Sequence, residues 1–510
     1  MKARVYLVGA GPGDPGLLTV KGQECIQNAD VVIYDYLASP ALLKHAPSGS
    51  ELIYVGKKGG DHTLSQEEIN ALIVEKAQAG LTVCRLKGGD PFIFGRGGEE
   101  AEVLVANAIP FEVVPGVTSA VAAAAYAGIP LTHRKLTATL AFVTGHEDPH
   151  KQESNIDWEA LARGIGTLVF FMGVKNLPDI TRRLVANGRS PQTPVALIRW
   201  GTTPGQQTVT GTLDNIAQRV RKAGLKAPAI IVVGDVVDLR NTLKWFENRP
   251  LLGKRIVVTR AREQASDLVR QLSDLGADCL EYPTIKIVPA ADLSPMDAAI
   301  ANLGDYAWIV FTSVNGVKYF FDRLFETGRD VRALNHLHTA AIGPATAAAM
   351  RRFGLKSDIV PKNYRAESVV EAFRRENLEG KKVLLPRAAE ARPVLPIELR
   401  KMGARVDELA AYFTENVSGN TDQLIKQLED KTIDLITFTS SSTVKNFKSL
   451  LPPDKFDRLT AGIKIASIGP ITTETAAQLG FEVDITAESY TIPGLCDAIL
   501  KYCSTVRPIS

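Results

Sequence analysis

The chain has 510 residues, 59 basic and 56 acidic side chains, a formal net charge of +3 and 45% apolar residues. That length suits three or four domains, and the near-balance of charge, with no long basic tract, leaves no field for nucleic acid. No run approaches about 18 uninterrupted apolar residues, and MKARVYLVGAG lacks a secretory apolar region and cleavage site, so a soluble cytoplasmic protein, off the membrane, is expected.

The first predicted element is a short strand, VYLV, which runs into VGAGPGDPGLLTVKG (residues 8 to 22), a turn of five glycines and two prolines followed by a helix. Glycine permits close backbone approach, and a helix N-terminus presents unpaired N–H groups, so the turn is built to hold a ligand. Gly11, Gly13 and Gly16 match G-x-G-x-x-G, and Asp35 ends the next apolar run, VVIYD, where a dinucleotide fold keeps its ribose acid. Against a nucleotide, Pro12 and Pro15 each remove a donor that a pyrophosphate would use. A second strand and Gly-rich turn, VCRLKGGDPFIFGRGGEE (83 to 100), follows about 75 residues later, and two such turns suit one ligand clasped between strand ends. The run AVAAAAYAG (120 to 128) reads as helix core. The five cysteines at 25, 84, 279, 496 and 503 are scattered, with no C-x-x-C, and read as buried or inert thiols in a reducing compartment. His336 and His338 alternate across a predicted strand without a third ligand nearby, so no metal site is predicted.

Together with PGVTSA (115 to 120), AYAGIPLTHR (125 to 134), TGHE (144 to 147), FFMG (170 to 173) and APAIIVVGDVV (227 to 237), the two Gly-rich turns make residues 3 to 245 closely resemble uroporphyrinogen-III C-methyltransferase. The resemblance implies S-adenosylmethionine in a deep cleft between two α/β subdomains (1 to 114 and 115 to 245), and two methyl transfers, at C2 and C7 of uroporphyrinogen III, to give precorrin-2. It also implies a homodimer. Carried onto this chain, the cofactor contacts are Pro12, Gly88, Gly89, Asp90, Ile93, Thr118, Ser119, Met172, Gly201 and Ala229; Ser119 departs mildly from the Ala of many relatives. Asp35 and Lys57 match the family's proposed proton acceptor and donor. From the residues alone, Asp35 is equally a strand-end turn cap, and Lys57, beside Lys58, equally binds a substrate carboxylate. Another tetrapyrrole or precorrin methylase shares these turns, but GDPFIFGRGGEE and LTHR argue against that reading.

Pro250 and Gly253 break the helical pattern of LKWFENRPLLGKR before a new strand, IVVTRA, so a linker is expected at 246 to 252. Behind it lies a duplication. GKRIVVTRA begins at Gly253 and GKKVLLPRA at Gly380, an offset of 127; FTSVNGV at Phe311 recurs as FTSSSTV at Phe438, again 127. Gly343 in AIGPATA pairs with Gly469 in SIGPITT, and Asp358 in DIVPKNYRAES with Asp484 in DITAESYTIPG, both offsets 126. Each copy alternates β-rich and helical stretches, which predicts two parallel α/β modules with Ser-, Thr- and Gly-rich loops at the strand C-termini, suited to poly-anions.

The order of these elements resembles uroporphyrinogen-III synthase over 252 to 505. That resemblance implies closure of hydroxymethylbilane to uroporphyrinogen III with inversion of ring D, without metal or organic cofactor, so that one half makes what the other methylates. It further implies exchanged segments: one flavodoxin-like domain from 253 to 284 with 414 to 510, the other from 285 to 413. Tyr412 in AAYFT matches the family Tyr proposed to assist loss of the hydroxyl; a strand Tyr with an apolar body and a wet tip is the plain alternative. Ser313, Thr346, Ser440, Thr472, Thr486 and Ser489 fall in the matching loops, where helix capping accounts for any one of them, Thr346 and Thr472 above all. The expected architecture is α/β throughout: a methylase fold of two subdomains, then two flavodoxin-like domains. The partners expected are small tetrapyrroles. The other reading is a precorrin-type methyltransferase fused to a non-catalytic tetrapyrrole-binding module.

Overall fold

A computed structural model describes residues 4–56, 64–146, 155–259, 262–283, 285–362, 365–416 and 421–506. Its contacts divide into two compact units, Met1–Ile256 with Arg270–Cys279 and Leu500–Ser510, and Val257–Val269 with Leu280–Ile499. Among the described residues no helix is long and apolar enough to cross a membrane.

Strands β1 (Val5–Gly9), β2 (Val31–Tyr34), β3 (Glu51–Tyr54), β4 (Val83–Lys87) and β5 (Phe111–Val114) form one sheet in the order β3-β2-β4-β1-β5, every neighbouring pair parallel. A parallel sheet is covered on both faces, and the alternation of side chains divides its core accordingly. Val5, Leu7, Val31, Ile33 and Val83 pack with Ile69 and Ile73 of the helix Gln66–Gln78, while Val8, Val32, Cys84 and Leu86 pack with Ile26 of the helix Val20–Gln27. Because the strands run the same way, the turns after β1, β2 and β4 open at one edge.

The next five strands, β6 (Leu140–Thr144), β7 (Thr167–Phe171), β8 (Pro194–Arg199), β9 (Gln207–Thr212) and β10 (Ala229–Val233), give the order β6-β7-β10-β8-β9. Only β6 and β7 are parallel; β10 runs antiparallel to both β7 and β8, and β9 to β8. The Ala-rich run is the helix Ser119–Tyr126, whose Ala120, Ala123 and Ala124 are buried against Val169, Ile198, Ile230 and Val232. Its small side chains let this helix lie close to the sheet and leave its first turn at the strand ends.

The second half of the chain contains β11 (Arg255–Val258), β12 (Asp278–Glu281), β13 (Ile285–Pro289), β14 (Trp308–Phe311), β15 (His338–Ala341), β16 (Lys382–Ala388), β17 (Arg405–Asn416), β18 (Leu435–Phe438), β19 (Lys464–Ser467) and β20 (Ile485–Thr486). They form two sheets, β12-β11-β18-β19-β20 and β13-β17-β16-β14-β15. The first follows the 2-1-3-4-5 order of flavodoxin-like folds. The duplicated segments occupy equivalent places: β11 and β16 start at the repeated Gly-Lys, and β14 and β18 end at Phe311 and Phe438. Asp358 accepts from Thr339 N at 2.7 Å as Asp484 accepts from Ile465 N at 2.9 Å. The fourth sheet therefore has the same order, β17-β16-β14-β15, with β13 added antiparallel to β17 at its edge. Each sheet takes strands from both copies.

Cys25, Cys84 and Cys496 are buried free thiols, and burial pushes Cys496 up to about 11 and Cys84 higher still, which leaves these two protonated at neutral pH. His338 opens β15, but His336 lies before the strand, its Nε2 3.0 Å from the Leu303 carbonyl. Among the described residues no group of three His, Cys, Asp or Glu is placed to hold a metal.

Candidate functional sites

The two Gly-rich turns clasp each other. Gly11 N donates to Gly89 O at 3.2 Å and Gly89 N to Gly11 O at 2.7 Å, with Ala10 N on Lys87 O at 2.7 Å. A Cβ on Gly9 would lie 2.5 Å from Gly116 Cα, and one on Gly116 would lie 2.3 Å from Gly89 O, so three backbones meet where side chains cannot. Gly11 and Gly89 adopt left-handed φ of 75° and 71°. The first turn is also tied to the second sheet's loops: Asp14 N donates to Thr202 Oγ1 at 3.0 Å, and Tyr126 Oη donates to Asp14 Oδ2 at 2.6 Å.

These turns wall a cleft of about 540 Å³, within the range of small-molecule sites. Of the ten expected cofactor contacts, Pro12, Gly88, Gly89, Ser119, Met172, Gly201 and Ala229 line it. Asp90, Ile93 and Thr118 do not. Asp90 accepts from Phe92 N at 2.8 Å and Gly116 N at 3.0 Å, so its carboxylate fastens the second turn to the loop before the Ala-rich helix. Thr118 is that helix's N-cap residue without a side-chain capping bond, and Ile93 is partly exposed on the second turn. Tyr36, Leu37, Lys175 and Trp200 also line the cleft, although no motif marked them in advance, and so does His146 of the TGHE motif. Two wall residues, Met172 and Trp200, hold φ of 55° and 49°, a conformation that costs non-glycine residues of order 1–3 kcal/mol and gathers at ligand sites. Tyr36 meets Trp200 edge-on at 5.6 Å and Phe94 meets Phe171 at 4.9 Å, so aromatic pairs join the two subdomains beside the cleft.

Asp35 follows β2 immediately before Tyr36–Pro40, all five of which line the cleft. Its Oδ1 accepts from Leu37 N at 3.0 Å, as a turn cap does, and its Oδ2 accepts from Arg85 Nη2 at 3.2 Å; the side chain remains 25% exposed. Lys57 lies outside the described residues.

In the second half, a register shift between Arg387 and Ala388 makes Tyr412 the partner of Ala388, a bulge that re-aims the tyrosine. Tyr412 is buried, stacks on Tyr319 at 5.9 Å, and donates to Ser313 Oγ at 3.0 Å; burial pushes its hydroxyl above the ordinary phenol range. Ser313 also caps its helix by accepting from Gly316 N at 2.9 Å, and Ser440 caps the equivalent helix of the other copy. Thr346 and Thr472 are not caps. Gly343 and Gly469 occupy those positions, Pro344 and Pro470 follow as first helical residues, and the two threonines lie buried one turn in. The neighbouring Thr473, unmarked by the sequence, joins Ser467 at 2.5 Å to Thr486 at 2.8 Å. Ser489 is exposed, 3.4 Å from Thr491 Oγ1.

A mainly apolar cleft walled by glycine turns is joined in one chain to a duplicated pair of α/β sheets, the arrangement of a small-molecule enzyme domain fused to a second α/β module. Residues 4–217 match the tetrapyrrole (corrin/porphyrin) methylases and residues 266–497 match uroporphyrinogen-III synthase HemD. The porphyrin biosynthesis protein HemD of Ruminiclostridium josui is 40% identical over 497 residues, 98% of this chain and 97% of that protein. The S-adenosyl-L-methionine-dependent uroporphyrinogen III methyltransferase of Methanosarcina barkeri is 56% identical over 240 residues, 47% of this chain and 94% of that protein. The crystal structure of uroporphyrin-III C-methyltransferase from Thermus thermophilus with S-adenyl homocysteine is 42% identical, covering 46% of this chain and all of that one, at a TM-score of 0.40. The chain belongs to the tetrapyrrole methylases through its first half and to the uroporphyrinogen-III synthases through its second.

Proposed function

We propose that this chain makes uroporphyrinogen III from hydroxymethylbilane and methylates it at C2 and C7 to precorrin-2. The observation that carries the methylase half is the Gly11–Gly89 clasp, which sets Pro12, Gly88 and Gly89 in the lining of a cleft that four further motif residues, Ser119, Met172, Gly201 and Ala229, also line. S-adenosylmethionine supplies an activated methyl group, and a mainly apolar, glycine-walled cleft whose lining, among the described residues, includes a single Lys, Lys175, fits its sulfonium nucleoside better than a pyrophosphate, which would need several cations. The wall residues' work is alignment, for which about 7 to 11 kcal/mol of such a barrier is available. Asp35 accepts the proton that the ring loses, and Lys57 is its donor counterpart. Asp90, Ile93 and Thr118 shape the cofactor site from just behind the wall.

In the second half, Tyr412 assists departure of the terminal hydroxyl of hydroxymethylbilane, with Ser313 as its hydrogen-bond partner, and ring D inverts before closure. Ser440, Thr486 and Ser489 act with Ser313 on the substrate's carboxylates, and Thr346 and Thr472 brace the loops that carry them. We assign the methylase to residues 1–245 and the synthase to 253–510, with domains 253–284 plus 414–510 and 285–413, in a cytoplasmic enzyme that dimerises through its methylase half. To test the first assignment, residues 1–248 are supplied with uroporphyrinogen III and S-adenosylmethionine. Two methyl groups per macrocycle are expected; a cofactor-binding fragment that leaves the macrocycle unchanged or singly methylated contradicts it.

A further inference from the structure

Two cations lie buried under the methylase sheet. Arg85 and Lys87, two apart on β4 and so on one face, are 3% and 4% exposed, and Glu100 of the helix Gly97–Ala106 is 1% exposed. Glu100 Oε1 accepts from Arg85 Nε at 3.2 Å and from Lys87 Nζ at 2.6 Å, while Arg85 Nη1 reaches the carbonyl of Leu86 at 3.2 Å. One buried carboxylate cannot balance two buried cations. The other anion is Asp35, the cluster's partly exposed member, which Arg85 Nη2 meets at 3.2 Å. A buried ionic cluster gives a fold little that apolar packing would not, so its value here lies in where it puts a side chain. Arg85 is held by Glu100 and by the carbonyls of Leu86 and Ile33, and presents Nη2 to Asp35 Oδ2, while Leu37 N fixes Oδ1. Both oxygens are thereby oriented, and each keeps a lone pair for a further partner.

We propose that Arg85, anchored by Glu100, is the positioning residue that aims the Asp35 carboxylate for proton removal during methyl transfer. This rests on Asp35 being the proton acceptor. Arg85 itself touches neither methyl donor nor macrocycle; it acts through Asp35 alone, so its loss slows chemistry without weakening binding.

The test uses the full chain with R85K, which keeps the charge and loses the rigid fork, together with D35N, the R85K/D35N double variant and E100Q. Uroporphyrinogen III and S-adenosylmethionine are the substrates, S-adenosylhomocysteine is the calorimetric probe, and circular dichroism checks the fold. Expected are a fall in kcat of about tenfold or more for R85K, both KM values and the probe's Kd within about twofold of the parent, and a double variant no slower than D35N. If R85K does not fold, E100Q decides, with the same split of lowered kcat and unchanged KM expected. A folded R85K with parental kcat beside a slow D35N overturns the positioning role alone, as do losses that multiply in the double variant. A D35N of parental kcat overturns the acceptor reading and the positioning role with it.

Discussion

Asp35→Asn keeps the side chain's shape and its bond from Leu37 while removing the basic carboxylate, so methyl transfer should slow by about 10²-fold or more, the usual scale of a lost general base. Cofactor affinity, measured by calorimetry, should barely move, since Tyr36–Pro40 line the cleft and Asp35 is not among its lining residues. Binding lost in step with activity would make Asp35 a cofactor ligand. Glu100→Ala acts differently. It leaves Arg85 and Lys87 buried without their shared carboxylate, which should cost about 3–5 kcal/mol in the denaturant-induced unfolding of the methylase half. Tyr412→Phe removes only a hydroxyl bonded to Ser313. It should slow ring closure and lower the ratio of III to I isomer, because spontaneous closure gives the uninverted I isomer, while methylation of preformed uroporphyrinogen III stays intact. An unchanged ratio by isomer-resolving chromatography would leave Tyr412 a packing residue.

The clasp between β1 and β4 depends on backbones with no side chains between them. Gly116→Ala would place a methyl group 2.3 Å from Gly89 O and 2.7 Å from Gly9 Cα, so the turns must part. Overpacking of that kind typically costs about 1–3 kcal/mol, and here the damage falls on the cleft wall, so S-adenosylhomocysteine binding should weaken by an order of magnitude or more; unchanged affinity would separate the clasp from the site. Much of this element was legible in advance, because a strand followed by clustered glycines says that backbone must approach something closely. What it approaches was not. Pattern gave no warning that the glycines meet one another, that Met172 and Trp200 bend into left-handed φ, or that Asp90 spends its carboxylate on two backbone N–H groups. In the second half the 127-residue offset between Phe311 and Phe438 exposed the duplication, and both copies do cap a helix two residues later with Ser313 and Ser440. Reading Thr346 and Thr472 as caps failed because the sequence Gly-Pro already supplies cap and first turn, which turns the threonines inward.

Across the whole molecule, each half makes sense of the other: one family's product is the other family's substrate, and the R. josui relative matches across 98% of the chain. The sheets β12-β11-β18-β19-β20 and β13-β17-β16-β14-β15 each draw on both sequence copies, so cutting between the copies, near residue 380, should leave two fragments that cannot complete either sheet. Neither 253–380 nor 381–510 alone should give a cooperative thermal transition, whereas a cut near 250 leaves every sheet whole. The central claim is that two consecutive chemistries reside in one chain. Incubating the intact protein with hydroxymethylbilane and S-adenosylmethionine, and following the products by mass and isomer-resolving chromatography, tests it directly. The account predicts a type III macrocycle carrying two added methyl groups; type I uroporphyrinogen, or an unmethylated type III ring that accumulates while S-adenosylmethionine remains, would contradict it.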